Sequence, residues 1–182
     1  MDKRDLWFLW SAAFAAFIAF AFDSQISRFF IDSQMPVLAV IMAAASIFGS
    51  VYVIPFLATF ILLITKKHKS IPASWLSLTA GICISLVAKI IIARPRPFQF
   101  FGLTMAEKFA SWDSSFPSLH AMAVFAFLPL LDKKTKIYWL AFAVLVAFSR
   151  VYLGYHYASD VIAGAMIGYL CGLASVKIFK LK

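Results

Sequence analysis

Three short stretches of this sequence place basic and imidazole side chains at spacings that suit phosphate chemistry. The first contains Lys89 and, seven residues later, Arg96-Pro97. Seven residues are about two helical turns, so the two cations can face one pocket. The second is Phe116-Pro117-Ser118-Leu119-His120, and the third runs from Ser149-Arg150 through His156 to Asp160.

A phosphoryl group in transfer spreads negative charge over its equatorial oxygens, so catalysis requires mainly positioning and positive charge. Lys89, Arg96 and Arg150 supply that charge, and the planar fork of arginine matches phosphate geometry. Ser118 opens a predicted helix after a proline, so its hydroxyl and the free first-turn amides can complete an anion cradle. The three stretches therefore predict a phosphate site.

The two histidines suit a nucleophile and a proton carrier. His156 and Asp160 are four residues apart, so on a continuous helix the carboxylate can accept one imidazole proton and leave the other nitrogen free to attack phosphorus. His120 arrives from another helix. It can protonate the departing oxygen and then activate water.

The acidic and cysteine residues argue against a metal or redox cofactor. Only Glu107, Asp113 and Asp160 of the eight acidic residues fall near the predicted site, and they are far apart in sequence. A two-metal phosphatase requires a tighter set of ligands. Cys83 and Cys171 lie in apolar segments without metal-site spacing, so we interpret them as packing residues. We expect no metal and no cofactor.

The elements that must position these residues are predicted to be membrane helices. Hydrophobic residues make up 63% of the 182 residues and charged residues 14%, against about 45–50% and 25% in soluble domains. The length and composition predict one all-α domain over residues 1–182, a polytopic bundle of six transmembrane helices. The expected spans are 6–22, 49–65, 71–93, 119–131, 137–153 and 157–176, with a short interfacial helix over 36–48.

The basic residues predict the orientation of the bundle. With both termini cytoplasmic, the inside segments hold eleven of the 17 lysines and arginines, as the positive-inside rule requires. The site then lies on the outer face of the cell membrane, beside the polar loop 95–117. Cations between apolar runs do not form the basic face that a nucleic acid would need. A cleaved signal peptide is the alternative for residues 6–22.

Several other charged and aromatic residues near these segments allow either a structural or a functional interpretation. His68 is interpreted as part of a cytoplasmic basic loop, and Arg94 and Lys108 as solvated loop charges rather than guides for a headgroup. Trp112 and Asp113 are weaker candidates for substrate contact.

The pattern K-x6-RP, PS-x-H and SR-x5-H-x3-D, in that order over residues 89–160, resembles the type 2 phosphatidic acid phosphatase superfamily. The resemblance implies a helical core, motifs that converge at the outer membrane surface, and metal-independent phosphotransfer through a phosphohistidine at His156. Leu119 stands where this family most often has glycine. Its backbone N–H remains available for phosphate binding, but a leucine does not permit the close approach that glycine allows.

The resemblance leaves the substrate open. Expected substrates are membrane lipid phosphates: undecaprenyl diphosphate, phosphatidylglycerophosphate, phosphatidic acid or lipid A phosphate. The small polar surface of the chain favours an isoprenoid diphosphate. A phosphatase of a soluble ester and a non-enzymatic lipid or ion carrier are the rival functions, and no feature of the sequence indicates an oligomeric state.

Overall fold

The computed structural model describes residues 3–102 and 114–181, and every regular element in those two ranges is helical. Helices satisfy all backbone hydrogen bonds within one segment, which long apolar runs require in lipid. The α-helices are α1 (Lys3–Asp32), α2 (Pro36–Phe48), α3 (Ile54–Ile64), α4 (Ile71–Ile92), α5 (Pro97–Phe100), α6 (Leu119–Ala126), α7 (Lys133–Tyr152) and α8 (Ala158–Ile178). Short 3-10 turns at His68–Ser70 and Leu128–Leu130 precede α4 and follow α6.

Four segments in the described ranges are long and apolar enough to cross a membrane: Asp5–Asp32, His68–Phe100, Lys133–Tyr152 and Ala158–Ile178. These correspond to α1, to α4 with the preceding 3-10 turn and the short helix α5, and to α7 and α8. The predicted all-α, multi-pass membrane fold is confirmed. The predicted number of six spans is not, because three further apolar helices are shorter.

The segment 36–65 accounts for part of this difference. The interfacial helix α2 has the predicted bounds, but α3 begins at Ile54 rather than at Gly49. Its 11 residues extend about 17 Å, which is short of the roughly 30 Å hydrocarbon core. Pro55 lies in the first turn of α3, where a missing N–H is tolerated, so the helix starts beside it after a turn over 49–53.

Helix α1 is longer than predicted and ends at Asp32 instead of Phe22. Residues 23–32 contain neither proline nor glycine, so nothing in the sequence stops the helix there. Its last turns carry the exposed ion pair from Arg28 to Asp32, with 2.8 Å between Nε and Oδ2. The extension brings Asp23, which is buried, alongside the other helices.

Helix α6 lies at the centre of the bundle, where residues 121–127 are all buried and contact α4, α7 and α8. Gly164, Gly168 and Gly172 form one face of α8 against it. A Cβ atom at any of the three would collide with the backbone of α6 or of the residue before it. This contact lets the Ser118 amide donate to the Asp160 carbonyl at 3.0 Å, which joins the second and third motifs.

Candidate active site

The three motifs meet at one end of the bundle. Lys89, near the end of α4, donates a hydrogen bond to the Ser114 carbonyl, which lies just before the second motif. Arg96 donates to the Tyr155 carbonyl at 2.9 Å, which joins the first motif to the third. The three motifs are therefore held together by hydrogen bonds from these basic side chains to main-chain carbonyls.

His156 is held in one orientation by two contacts. The residue is 2% exposed. Nδ1 lies 2.6 Å from the Ser115 carbonyl oxygen, and Nε2 lies 3.3 Å from Nη1 of Arg96. A carbonyl can only accept and a guanidinium can only donate, so the proton is on Nδ1 and the lone pair is on Nε2. Nε2 is the atom that faces positive charge.

The surroundings of His156 keep its imidazole neutral. His156 lies in the turn between α7 and α8. Burial is the main cause that lowers its pKa well below 6.5, and the positive charges of Arg96, Arg150 and Lys89 lower it further. A neutral imidazole in a cationic pocket is the form that can attack phosphorus.

The predicted hydrogen bond between His156 and Asp160 is absent. Oδ2 of Asp160 lies 3.9 Å from Nδ1, too far for a hydrogen bond. The prediction assumed a continuous helix, whereas α8 begins at Ala158 and His156 lies in the turn before it. The Ser115 carbonyl accepts the imidazole proton instead, and Asp160 accepts the Tyr157 amide at 2.9 Å.

Arg94 is not a solvated loop charge, contrary to the sequence analysis. Its guanidinium pairs with Asp160 at 2.6 Å and with Asp23 at 2.8 Å, and lies 3.9 Å from the ring centroid of Tyr157. Asp23 also accepts from the Ser159 amide at 3.0 Å. We call Asp23, Arg94, Ser159 and Asp160 the Arg94 clasp. It ties α1 to the start of α8, next to His156.

Sequence analysis did not identify Asp23 as a site residue. The available signal was a lone carboxylate inside an apolar helix, which is costly unless it is paired. Its partner lies 71 residues away, so spacing could not reveal the pair.

A cavity of about 260 Å³ opens next to Tyr155, the residue before His156. His120 and Arg150 line it together with Ser46 and Ser50 from the α2 side. Arg150 donates to the Ser46 hydroxyl, and its guanidinium carbon lies 4.4 Å from the Tyr155 ring centroid. Ligand pockets commonly measure about 300–1,000 Å³, so this cavity suits a phosphate or diphosphate group better than a whole lipid.

Ser118 and Leu119 form the start of α6. Ser118 is fully buried, and its hydroxyl has no hydrogen-bond partner within residues 3–102 and 114–181. Leu119 is the first residue of the helix, so its amide is one of those that lack an intrahelical acceptor. A hydroxyl and amides in this state can bind phosphate oxygens.

The carboxylates of the described ranges do not assemble into a metal site: no group of three or more His, Cys, Asp or Glu residues there could hold a metal ion. Glu107, Lys108, Trp112 and Asp113, which were weighed in the sequence analysis, lie outside the described residues.

Comparison with known proteins identifies the family. The model of the PAP2 superfamily matches residues 73–182, which include all three motifs. This chain belongs to the PAP2 superfamily. It is 34% identical over 163 residues to the undecaprenyl-diphosphatase of Sulfolobus acidocaldarius, with 86% of this chain and 78% of that protein covered. The lipid A 1-phosphatase of Rhizobium johnstonii is 31% identical over 127 residues, which are 63% of this chain and 52% of that protein.

A solved PAP2 structure has the same fold. The PAP2-type phosphatidylglycerolphosphate phosphatase from Bacillus subtilis matches with a TM-score of 0.73 at 24% identity, covering 96% of this chain and 97% of the other. The expected family and the expected phosphatase class are confirmed by these comparisons. The chain is a multi-pass PAP2 membrane phosphatase.

Proposed function

We propose that this PAP2 phosphatase removes the terminal phosphate of an isoprenoid diphosphate lipid through a phosphohistidine formed on His156. The proposal is based on the orientation of the His156 ring and on which of its nitrogens is protonated. The Ser115 carbonyl oxygen lies 2.6 Å from Nδ1 and keeps the proton on that nitrogen. The lone pair of Nε2 is therefore directed at Arg96. A phosphoryl group bound by Arg96 would bring its phosphorus to this nitrogen.

In the first step Nε2 of His156 bonds to phosphorus while the bond from phosphorus to the leaving oxygen breaks. Lys89, Arg96 and Arg150 stabilise the charge on the transferring group. The Ser118 hydroxyl and the Leu119 amide donate to the same oxygens. His120, on the cavity wall beside Arg150, donates a proton to the leaving oxygen where one is needed.

In the second step water attacks the phosphorus of the phosphohistidine. His120, now neutral, accepts a proton from the water as the phosphorus–nitrogen bond breaks. Inorganic phosphate leaves, and Nε2 regains its lone pair. Asp160 acts at a distance from this chemistry as a positioning residue, because it contacts the Tyr157 amide rather than the reacting ring.

Two observations favour a diphosphate lipid as substrate. The cavity of about 260 Å³ admits a small headgroup, so the rest of the lipid must lie outside it, along the apolar helices. The relative from S. acidocaldarius is an undecaprenyl-diphosphatase. A lipid A phosphate is the second candidate, because a relative from R. johnstonii is a lipid A 1-phosphatase.

We further propose that the site faces the outer side of the cell membrane and that both termini are cytoplasmic. The lysine-rich turns beside Ser70 and Asp132 lie at the end of α4 and α7 opposite to the site. Basic segments remain preferentially on the cytoplasmic side.

The test of this function is phosphate release by the purified protein in detergent with a chelator. The panel contains undecaprenyl diphosphate, a lipid A phosphate, phosphatidic acid and a water-soluble ester. We expect fastest turnover of the diphosphate, and an acid-labile, alkali-stable phosphoenzyme that His156→Gln abolishes. His120→Gln should reduce turnover of monoesters more than that of diphosphates, which have a better leaving group.

His68 provides the matched control, because it is the third histidine and lies in the turn at the other end of α4. His68→Gln should leave turnover and phosphoenzyme unchanged. Phosphate release by His156→Gln, or release that requires added divalent metal, would exclude the mechanism.

A further inference from the structure

A second cavity lies at the end of the bundle opposite to His156. It measures about 780 Å³, three times the volume of the cavity beside His120 and Arg150. The turn before α4 forms one side, the turn between α6 and α7 another, and the end of α8 a third. We call it the distal basic pocket, and its polar lining residues are Lys66, Lys67, His68, Lys69, Ser70, Asp132 and Lys136.

The distal basic pocket has more positive charge than its own acid balances. The Thr135 amide lowers the pKa of Asp132 to about 2, so this carboxylate is ionised. It lies 3.8 Å from the ammonium group of Lys67. Lys66 and Lys69 make no ion pair with any residue of the described ranges. The surplus charge favours an anion in the pocket.

Helix α4 begins at this pocket. Its 22 residues start at Ile71, whose amide donates to the His68 carbonyl. The helix therefore favours a bound anion through the positive end of its dipole rather than through free N–H groups. Ser70, the residue before the helix, lines the pocket and is 7% exposed. Its hydroxyl has no hydrogen-bond partner among the residues that the structure describes. A hydroxyl in this state, on a largely buried residue that lines the pocket between lysines, can donate to a phosphate oxygen.

The remaining wall of the pocket is apolar. Leu131 and Val176 line it beside the charged residues. A free inorganic anion gains nothing from such a wall, whereas the glycerol and first acyl carbons of a phospholipid bury apolar surface there. The lining is therefore amphipathic in the manner of a lipid headgroup site between membrane helices.

We propose that the distal basic pocket binds the phosphate group of an anionic phospholipid in the leaflet opposite to the catalytic site. Ser70 donates to a phosphate oxygen, Lys66 and Lys69 balance the charge, and Leu131 contacts the glycerol. The site takes a phosphodiester and is separate from the phosphoryl-transfer site, so it does not depend on the proposed reaction.

Native mass spectrometry of the purified protein from mixed micelles of phosphatidylglycerol and phosphatidylcholine tests this proposal. The wild type should retain phosphatidylglycerol preferentially. Lys66→Gln/Lys69→Gln should lower that retention by at least about tenfold, since each lysine near a membrane surface contributes about 1 kcal/mol to binding of an anionic lipid. Ser70→Ala should lower it by less. Equal melting temperatures in lipid-free detergent show that the variants are folded.

The matched control is Lys133→Gln/Lys134→Gln, which removes the same charge from the nearby start of α7. Both lysines are exposed and neither lines the pocket, so this variant should retain lipid as the wild type does. Equal loss in both double variants would overturn the proposal in favour of diffuse surface charge. Displacement of the lipid by excess inorganic phosphate would overturn it in favour of a free-anion site. His156→Gln should keep the lipid, which separates this test from that of the catalytic function.

Discussion

At the scale of single residues, the reactivity of His156 comes from its neighbours. An imidazole in water is half protonated near pH 6.5. Burial and three cations keep this one neutral, while the Ser115 carbonyl selects which nitrogen carries the proton. The same cations that bind phosphate thus also prevent the nucleophile from being blocked by a proton.

This arrangement predicts the titration of His156. In protein labelled with 13C-histidine, the His156 signal should titrate well below pH 6.5, since its lowered pKa leaves the ring neutral above that value. Arg96→Gln removes a positive charge 3.3 Å from Nε2, so the pKa should rise. It should stay below 6.5 because burial, the larger cause, is unchanged. NMR spectra over a range of pH measure both values.

Only three histidines are present, and single substitutions to glutamine assign their signals. The control is Lys69→Gln, which removes a charge at the far end of α4 and should leave the His156 titration unchanged. A wild-type midpoint at or above 6.5 would contradict the electrostatic description of the site.

At the scale of secondary structure elements, the Arg94 clasp is the charged contact between α1 and the site. Asp23 is the contact from this helix to Arg94 and to the first turn of α8. The clasp holds the helix start that follows His156. A positioning role of this kind affects the geometry of the reacting ring rather than the affinity for phosphate.

Asp23→Asn tests that role. The substitution retains the shape of the side chain but removes the charge that pairs with Arg94 at 2.8 Å. We expect kcat to fall by about tenfold or more, because breaking a buried charge pair costs several kcal/mol and loosens the turn, while KM changes little. Asp32→Asn on the same helix removes an exposed pair and should have the kinetics of the wild type. A change in KM alone would contradict a positioning role.

The packing of α8 on α6 gives a second prediction at this scale. A side chain at Gly168 would collide with the backbone of Met122 and Ala126. Gly168→Leu should therefore lower the melting temperature in detergent by several degrees, in line with about 1–3 kcal/mol for overpacking. Ala174→Leu adds the same side chain on an exposed face of α8 and should leave the melting temperature nearly unchanged. Equal melting temperatures for the two variants would show that the helices do not depend on this contact.

At the scale of the whole molecule, the two ends of the bundle differ in chemistry. One end holds the histidines and the cations that face phosphate. The other holds the lysine-rich turns and the distal basic pocket. Helix α7 connects them, and its 20 residues extend about 30 Å. Its two ends should therefore lie on opposite sides of a bilayer.

Cysteine accessibility measures this topology. Ser33 is next to Gln34, which donates to the carbonyl of Tyr152 at 2.8 Å, so it marks the catalytic end. Lys134 marks the other end of α7. In a variant without Cys83 and Cys171, an impermeant maleimide should label Ser33→Cys in intact cells. It should label Lys134→Cys only after permeabilisation, and the reverse pattern would place the catalytic site on the cytoplasmic side.

The amino-acid sequence by itself determined the helical membrane class, the three motifs and the residues Lys89, Arg96, Ser118, His120, Arg150 and His156. These depend on local properties of the chain. Apolar runs of about 20 residues match the thickness of a bilayer, and charged residues inside such runs are functional candidates because their burial is costly. The spacing of such residues along one helix is visible in the chain itself.

Only the tertiary structure decided which groups orient and connect these residues. The Ser115 carbonyl, and not Asp160, accepts the imidazole proton. This contact could not be predicted, because every residue has a backbone oxygen and the residue type does not indicate which one is used. Asp23 meets Arg94, and Ser46 meets Arg150, across separations of 71 and 104 residues. Such contacts arise from how helices pack, and no local pattern specifies them.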